Sequence, residues 1–109
     1  MQRFAEALDT FLQALLIRPV FLGNVYDPTF GNDSLNFLDI EPSIARQSHR
    51  MVNGVLAKLA RRYGALVDLY AHFLTGDPSW FTQIIEPSLR GASEIRRCFL
   101  RQVLPYVRH

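Results

Sequence analysis

The chain has few cysteines and lysines: Cys98 and Lys58 are the only examples among 109 residues. One cysteine excludes an intramolecular disulfide and a zinc site built from several thiolates. It is typical of a reducing compartment, and we expect a cytoplasmic protein. The other eleven basic residues are arginines, interleaved with ten acidic residues. No block of like charge predicts a nucleic-acid-binding arm, so we expect no nucleic-acid partner.

Long apolar runs are also missing. The longest, residues 14–17, is far shorter than the roughly 20 residues that a membrane-spanning helix needs. Glu6 and Asp9 interrupt the first apolar stretch, so we expect no secretory signal and a soluble protein. The sequence contains neither a glycine-rich phosphate loop nor a Gly-x-Ser-x-Gly elbow, and its histidines lack metal-ligand spacing. We therefore expect no cofactor and no metal.

What the sequence has in abundance is apolar and aromatic side chains. Hydrophobic residues make up 49% of the chain and aromatic residues 12%, while the net charge is only +2. This composition excludes a disordered chain and predicts one globular domain over residues 1–109.

Periodicity predicts alternating helices and strands. Helices are predicted where apolar residues recur every three or four positions, and buried strands where short apolar runs stand between turn signals. Pro42 and Gly64 suit the two ends of the central helix. The elements, in order, are a helix over 2–17, a strand over Val20–Gly23, a long loop over 24–42, a helix over 43–62, a strand over Ala65–Tyr70, a loop with a Trp-Phe segment over 79–85 and a helix over 88–104.

The order α-β-α-β-α predicts an α/β fold with parallel strands. Two strands flanked by three helices leave strand edges open, and such edges invite pairing with further strands. We therefore expect the two strands to be part of a larger sheet, completed by oligomerisation or by a missing N-terminal half.

The candidate site residues follow the two strands, because open α/β sheets bind ligands beyond the carboxyl ends of their strands. Asn24, Tyr26 and Asp27 follow the first strand and are the candidate substrate-binding residues. Asp68 and His72 follow the second strand, and Glu86 precedes the last helix. His72, Asp68 and Glu86 are the candidate catalytic residues, since a carboxylate can orient an imidazole that acts as general base. His49 and His109 are expected to face solvent.

Several segments together resemble the C-terminal half of the SGNH/GDSL-type hydrolases. They are the strand leading into Tyr26-Asp27-Pro28, the helix with Val52-Asn53-Gly54-Val55-Leu56, the strand Leu66-Val67-Asp68-Leu69, and Glu86-Pro87-Ser88 with Gly91-Ala92. The similarity covers roughly residues 1–104. It implies a three-layer α/β/α sandwich of the flavodoxin-like type with about five parallel strands, of which this chain would form a part. It also implies ester hydrolysis by a serine nucleophile, with a small-molecule ester as substrate.

The resemblance also has gaps. The family's serine, glycine and asparagine blocks belong to its N-terminal half, which has no counterpart here. Where the family has Asp and His before the last helix, this chain has Gln83 and Glu86. A glutamate cannot replace the neutral imidazole that takes a serine's proton. Either His72 supplies the base, with Asp68 or Glu86 orienting it, or the triad is lost.

Two functions follow as expectations. In the first, the chain is the C-terminal segment of an SGNH-like esterase and is not a competent enzyme alone, because oxyanion stabilisation is usually the largest catalytic contribution. In the second, it is a non-catalytic α/β association module that forms a homo-oligomer or pairs with a separate N-terminal half.

Overall fold

The computed structural model describes residues 1–30, 41–82 and 86–107. The rest of the predicted long loop, residues 31–40, lies outside this range, as do Gln83 and His109. A 3-10 turn spans Pro78–Trp80. In chain order the elements are α1 (Gln2–Ala14), β1 (Val20–Gly23), α2 (Pro42–Tyr63), β2 (Gly64–Val67), α3 (Leu69–Phe73), β3 (Phe81–Thr82), β4 (Glu86–Pro87) and α4 (Leu89–Val107).

Helix α2 begins and ends where its local sequence predicts. The Glu41 carboxylate accepts hydrogen bonds from the backbone N–H groups of Ser43 and Ile44, which have no partner within the helix. Pro42 occupies the first turn, where a missing N–H costs nothing. At the other end, the N–H of Gly64 donates to the carbonyl of Ala60. Local capping therefore fixes both ends of the helix.

Strands β1 and β2 form a parallel pair, in which Val20 is aligned with Gly64 and Gly23 with Val67. The two backbones meet closely at the first of these pairs. A Cβ atom built on Gly64 would lie 1.9 Å from the carbonyl oxygen of Val20, which no side chain can tolerate. The parallel orientation confirms the α/β prediction in its simplest form.

Each face of this small sheet packs against a different set of helices. On one face, Val20 and Leu22 contact a cluster of Leu12 from α1 with Leu59 and Tyr63 from α2. On the other face, Phe21 packs against a second cluster, formed by Val67, Leu69 and Cys98. Successive side chains of a strand point to opposite faces. The alternation along β1 therefore divides the core in two.

A third apolar cluster closes the region after β2. The ring of Tyr26 stacks on Phe73 with the ring centroids 4.7 Å apart, and Trp80 meets Phe73 edge to face at 5.0 Å. Phe81 of β3 also contacts Tyr26 and Phe73. The aromatic residues thus hold α3, the 3-10 turn and the short β3–β4 hairpin against the loop that follows β1.

The structure corrects the predicted element order in two places. The second strand ends at Val67 rather than Tyr70, because the Asp68 carboxylate accepts a hydrogen bond from Ala71 N–H and so caps α3. An antiparallel hairpin, β3–β4, also precedes the last helix. The described residues hold one parallel pair of strands, not the five-stranded sheet of a full three-layer sandwich. Within the same residues, no helix has the length and apolar character that a membrane crossing requires.

Candidate functional site

A cleft of about 440 Å³ lies at the carboxyl ends of β1 and β2. Two walls enclose it. One is a stripe of α2, and the other consists of residues that directly follow the two strands. The α2 stripe contributes Arg46, His49, Arg50 and Asn53, and the strand-end wall contributes Asn24, Asp27, Asp68 and Tyr70.

Asn24 joins the two strand ends. Its side-chain N–H donates to Asp68 Oδ1 over 2.9 Å, and its Oδ1 accepts a hydrogen bond of 2.8 Å from the backbone N–H of Tyr70. The backbone N–H of Asn24 also donates to the carbonyl of Val67, which continues the pairing of β1 with β2. One amide side chain therefore fixes the position of Asp68 relative to the first strand.

The α2 stripe holds the backbone immediately after β1. The Asn53 amide donates to the carbonyl of Val25 at 2.9 Å and accepts from the N–H of the same residue at 2.8 Å. His49 Nε2 lies 2.6 Å from the same carbonyl. Because a carbonyl only accepts, Nε2 carries the proton, and in the neutral ring Nδ1 is then a hydrogen-bond acceptor. The imidazole is therefore fixed in one tautomer within the cleft.

Charge is distributed unequally between the two walls. Two guanidinium groups, of Arg46 and Arg50, belong to the helical wall, and two carboxylates, of Asp27 and Asp68, belong to the strand-end wall. Each of these two carboxylates already accepts hydrogen bonds from the protein. Asp27 Oδ1 accepts from the backbone N–H and the hydroxyl of Thr29, and Asp68 Oδ1 accepts from Ala71 N–H and from Asn24.

The structure brings three of the six predicted site residues to this cleft, namely Asn24, Asp27 and Asp68. Tyr26 belongs instead to the aromatic cluster, and its burial raises the pKa of its phenol. Tyr26 therefore has a packing role.

His72 and Glu86, the other two predicted catalytic residues, lie elsewhere. His72 belongs to α3, and its Nε2 donates to Glu94 Oε1 of α4 over 2.7 Å in a largely buried pair. This bond, with a smaller contribution from Arg97, lowers the pKa of Glu94. Glu86 lies in β4, exposed and aligned with Thr82. The carboxylate that orients His72 is therefore Glu94, and neither Asp68 nor Glu86.

Sequence reasoning missed the helical wall of the cleft. Arg46, His49, Arg50 and Asn53 are spaced i, i+3, i+4 and i+7, which places them on one side of a helix. The spacing is visible in the sequence, but the prediction for this part of the helix was only that His49 faces solvent. His49 is in fact half-buried.

The described residues support neither a metal site nor a reactive cysteine. No group of three His, Cys, Asp or Glu side chains there converges as a metal ion requires. Cys98 is buried in the second core cluster, and burial raises the pKa of its thiol. The reactive thiolate is therefore disfavoured.

Comparisons with known proteins were made against family models, curated proteins and solved structures. The chain matches no family model, no curated protein and no solved structure.

Proposed function

We propose that this chain forms the C-terminal part of the sheet and of the substrate cleft of an SGNH-type ester hydrolase. In this proposal, the serine nucleophile and the oxyanion donors come from a preceding segment of the protein. The supporting observation is the polar cleft at the carboxyl ends of β1 and β2, which is where open α/β sheets bind their ligands.

The packing of the sheet is consistent with this proposal. Helices cover both faces of β1 and β2, as they do in the layered α/β folds. Among the described residues, each of the two strands has one neighbour, so each has an outer edge to which another parallel strand could be added. The pair would then be part of the three-layer sandwich that the family resemblance implies.

Of the two described histidines, His49 is the better candidate for the general base. It lines the cleft beside Asp68 and Tyr70, and its Nδ1 is the acceptor in the neutral ring. His72 does not line the cleft, and its Nε2 is bonded to Glu94. We therefore assign proton transfer to His49 and, to His72, the positioning of α3 against α4.

The test begins with the reading frame upstream of this segment, which should contain a Gly-Asp-Ser type block. The protein that includes this block should hydrolyse p-nitrophenyl butyrate, and the 109-residue chain alone should not exceed the buffer rate. In the longer protein, His49→Gln should lower kcat by about 100-fold or more, the usual contribution of a general base. His72→Gln is the matched control and should change kcat much less.

Two outcomes would contradict the hydrolase proposal. One is an upstream frame without a serine block. The other is hydrolysis by the 109-residue chain that persists after all six of its serines are replaced by alanine. Normal hydrolysis by the longer His49→Gln variant would contradict only the assignment of the base.

A second candidate function is that of an association module, and exposed apolar residues favour it. Leu16 and Ile17, between α1 and β1, are 98% and 82% exposed, and Phe11 of α1 is 60% exposed. Contiguous exposed apolar surface commonly marks a protein interface. In this reading a second copy of the chain covers these residues and pairs with an open strand edge.

Light scattering after size exclusion tests the association module. The chain should elute with twice its mass of 12.5 kDa, and Leu16→Asp together with Ile17→Asp should return it to a monomer. A monomer of the unmodified chain at all concentrations would contradict self-association. It would leave a separately encoded N-terminal half as the partner to be tested by co-expression.

A further inference from the structure

Helix α1 has a second apolar surface, separate from the one that packs into the core. It consists of side chains spaced i, i+3, i+7, i+10 and i+11, which lie on one side of a helix. All of them are exposed. In chain order they are Phe4, Ala7, Phe11, Ala14 and Leu15, and we call them the α1 stripe. An exposed apolar surface of this kind commonly marks a protein interface.

The order of large and small side chains makes the α1 stripe complementary to a second copy of itself. Rings and methyl groups alternate along it at the spacing of a coiled-coil seam. In an antiparallel pair whose two-fold axis passes at the level of residue 9, Phe4 faces the partner's Ala14, and Phe11 faces the partner's Ala7. Each ring then packs on a methyl group, as in a well-filled core. A parallel pair would set ring against ring and methyl against methyl, with crowding and gaps in turn.

A hollow at the end of the α1 stripe can receive the partner's Phe4. It has a volume of about 640 Å³ and is lined by Ala14 and by the segment that links α1 to β1. The Arg18 guanidinium fixes this segment, because it donates to three backbone carbonyls between residues 12 and 17 over 2.6–3.1 Å. The hollow is therefore formed before a partner arrives, which lowers the entropy cost of binding.

The charges of α1 also favour the antiparallel orientation. Arg3 lies in the first turn, where the positive end of the helix dipole opposes a cation. The antiparallel pair brings it to the C-terminal end of the partner's helix, where the dipole is negative. The two acidic residues of α1, Glu6 and Asp9, lie off the α1 stripe, and Asp9 accepts a hydrogen bond from the hydroxyl of Tyr63. Like charges therefore do not face each other across the two stripes.

The exposed apolar surface is large enough for a dimer. At about 200 Å² for a whole side chain, the exposed parts of six apolar residues of this region amount to roughly 600–700 Å² per copy. These residues are Met1, Phe4, Phe11, Leu15, Leu16 and Ile17. A standard interface buries about 800 Å² per partner, of which roughly three-fifths is apolar. The region thus supplies the apolar area that a stable dimer buries.

We propose that this chain forms a two-fold symmetric dimer in which the α1 stripes of the two copies pack antiparallel. This inference rests on the second candidate function, the association module, and deepens it by naming the surface that the two copies share. The contact is between helices rather than between strand edges. It does not depend on the hydrolase proposal.

The first test exchanges the large and the small side chain at one contact. Ala7→Phe should set a ring against the partner's Phe11, and Phe11→Ala should leave a gap. Each variant should raise the dissociation constant of the dimer by about 100-fold or more, because the change occurs twice in the dimer. The double variant again sets a ring against a methyl group, and its dissociation constant should lie within about 10-fold of that of the unmodified chain.

Sedimentation equilibrium measures these dissociation constants, and circular dichroism verifies that each variant is folded. Gln13→Phe is the matched control for Ala7→Phe, because Gln13 is exposed on the opposite, polar side of α1. Its dissociation constant should equal that of the unmodified chain.

The second test measures orientation by cross-linking single cysteines in a Cys98→Ser background. Thr10→Cys lies next to the two-fold axis, so a short bismaleimide should join two copies. Arg3→Cys is the matched control, since residues 3 and 10 are seven apart and share one side of the helix. In the antiparallel dimer its two thiols would be about 18 Å apart along the helix axis and should not be joined. A parallel dimer would be cross-linked equally at both positions.

Three results would overturn this inference: a dimer that Ala7→Phe does not weaken, a double variant as weak as the single ones, or equal cross-linking at residues 3 and 10. If such a dimer still dissociates in the Leu16→Asp and Ile17→Asp variant, the association module is retained and only the pairing of α1 is wrong. A chain that is monomeric at all concentrations would contradict both. The hydrolase proposal is decided separately, by turnover in the longer protein.

Discussion

The amide of Asn24 donates a hydrogen bond to the carboxylate of Asp68 over 2.9 Å, so the residues that end the two parallel strands are joined directly. The same side chain accepts from the backbone of Tyr70. Beyond the last aligned pair of strand residues, side chains can satisfy backbone polar groups of the chain that leaves the sheet. The strand-end wall of the cleft is thus built from the groups that terminate the sheet.

Replacement of Asn24 by alanine removes both of these bonds. We expect Asn24→Ala to lower the free energy of unfolding by about 1–2 kcal/mol, the net value of two ordinary hydrogen bonds. Urea denaturation, monitored by circular dichroism, measures the change in the free energy of unfolding. Gln47→Ala, at an exposed position of α2, is the control and should change stability by less than about 0.5 kcal/mol. Equal stability of the two variants would show that the strand ends are held in another way.

Replacement of glycine by alanine should have opposite effects on stability at two positions. Gly64→Ala places a methyl group 1.9 Å from the carbonyl oxygen of Val20 and should lower stability by at least about 2 kcal/mol. Gly54→Ala adds a methyl group to exposed α2 with nothing within 4 Å, and it should raise stability by about 0.5–1 kcal/mol. Thermal melts of both variants test the pair. A neutral Gly64→Ala would contradict the close approach of β1 to β2.

Leu12 attaches α1 to the rest of the protein, since it is 1% exposed and packs on Leu59 and Tyr63. Leu12→Ala should lower the free energy of unfolding by about 2–5 kcal/mol, through lost burial and the cavity left behind. Leu89→Ala is the matched control, because Leu89 is 87% exposed at the start of α4. Denaturant titration of the two variants measures the difference between their free energies of unfolding. Similar losses for the two variants would mean that α1 is not anchored by Leu12.

The hydrogen bond between His72 and Glu94 should make the stability of the fold depend on pH. The pKa of Glu94 lies below its ordinary value of 4.5, chiefly because His72 donates to its carboxylate. Glu94 therefore binds a proton more readily in the unfolded chain than in the folded one. The stabilisation is present above about pH 4.5 and is lost as the pH falls through the lowered pKa of Glu94. His72→Gln should therefore lower the melting temperature more at pH 6 than at pH 3.

Arg97→Gln is the control for that measurement. Its guanidinium is exposed and lies 3.8 Å from the same carboxylate, so the melting temperature should change little at either pH. A loss in His72→Gln that is equal at pH 6 and pH 3 would show that the imidazole stabilises the fold by packing on Trp80 rather than through the Glu94 carboxylate.

Cys98 should react slowly with thiol reagents in the folded protein. It is buried, and the raised pKa of its thiol disfavours the thiolate. The rate of reaction with dithionitrobenzoate at pH 8 should rise by about 100-fold when the chain is unfolded in guanidinium chloride. Ser93→Cys in a Cys98→Ser background provides the control, because residue 93 is exposed on the same helix. Fast labelling of native Cys98 would contradict its burial.

Local signals predicted much of the fold. The strand Val20–Gly23 and the ends of the helix α2 (Pro42–Tyr63) agree with the sequence-based expectation to within one residue. Caps and short apolar runs act over a few residues, so a sequence displays them directly. The prediction of a strand through Tyr70 was wrong because Asp68 could either continue a strand or cap a helix, and contacts from Asn24 and Ala71 favour the cap.

The sequence by itself determined where the three long helices and the two parallel strands begin, and that polar residues follow both strands. Only the tertiary structure decided which side chains share the cleft. The stripe with His49 and Arg50 is polar in the sequence, but periodicity does not specify whether a polar helical surface faces water or the edge of a sheet. That choice depends on how α2 is rotated against β1 and β2, and the buried contacts of Leu59 and Tyr63 fix this rotation.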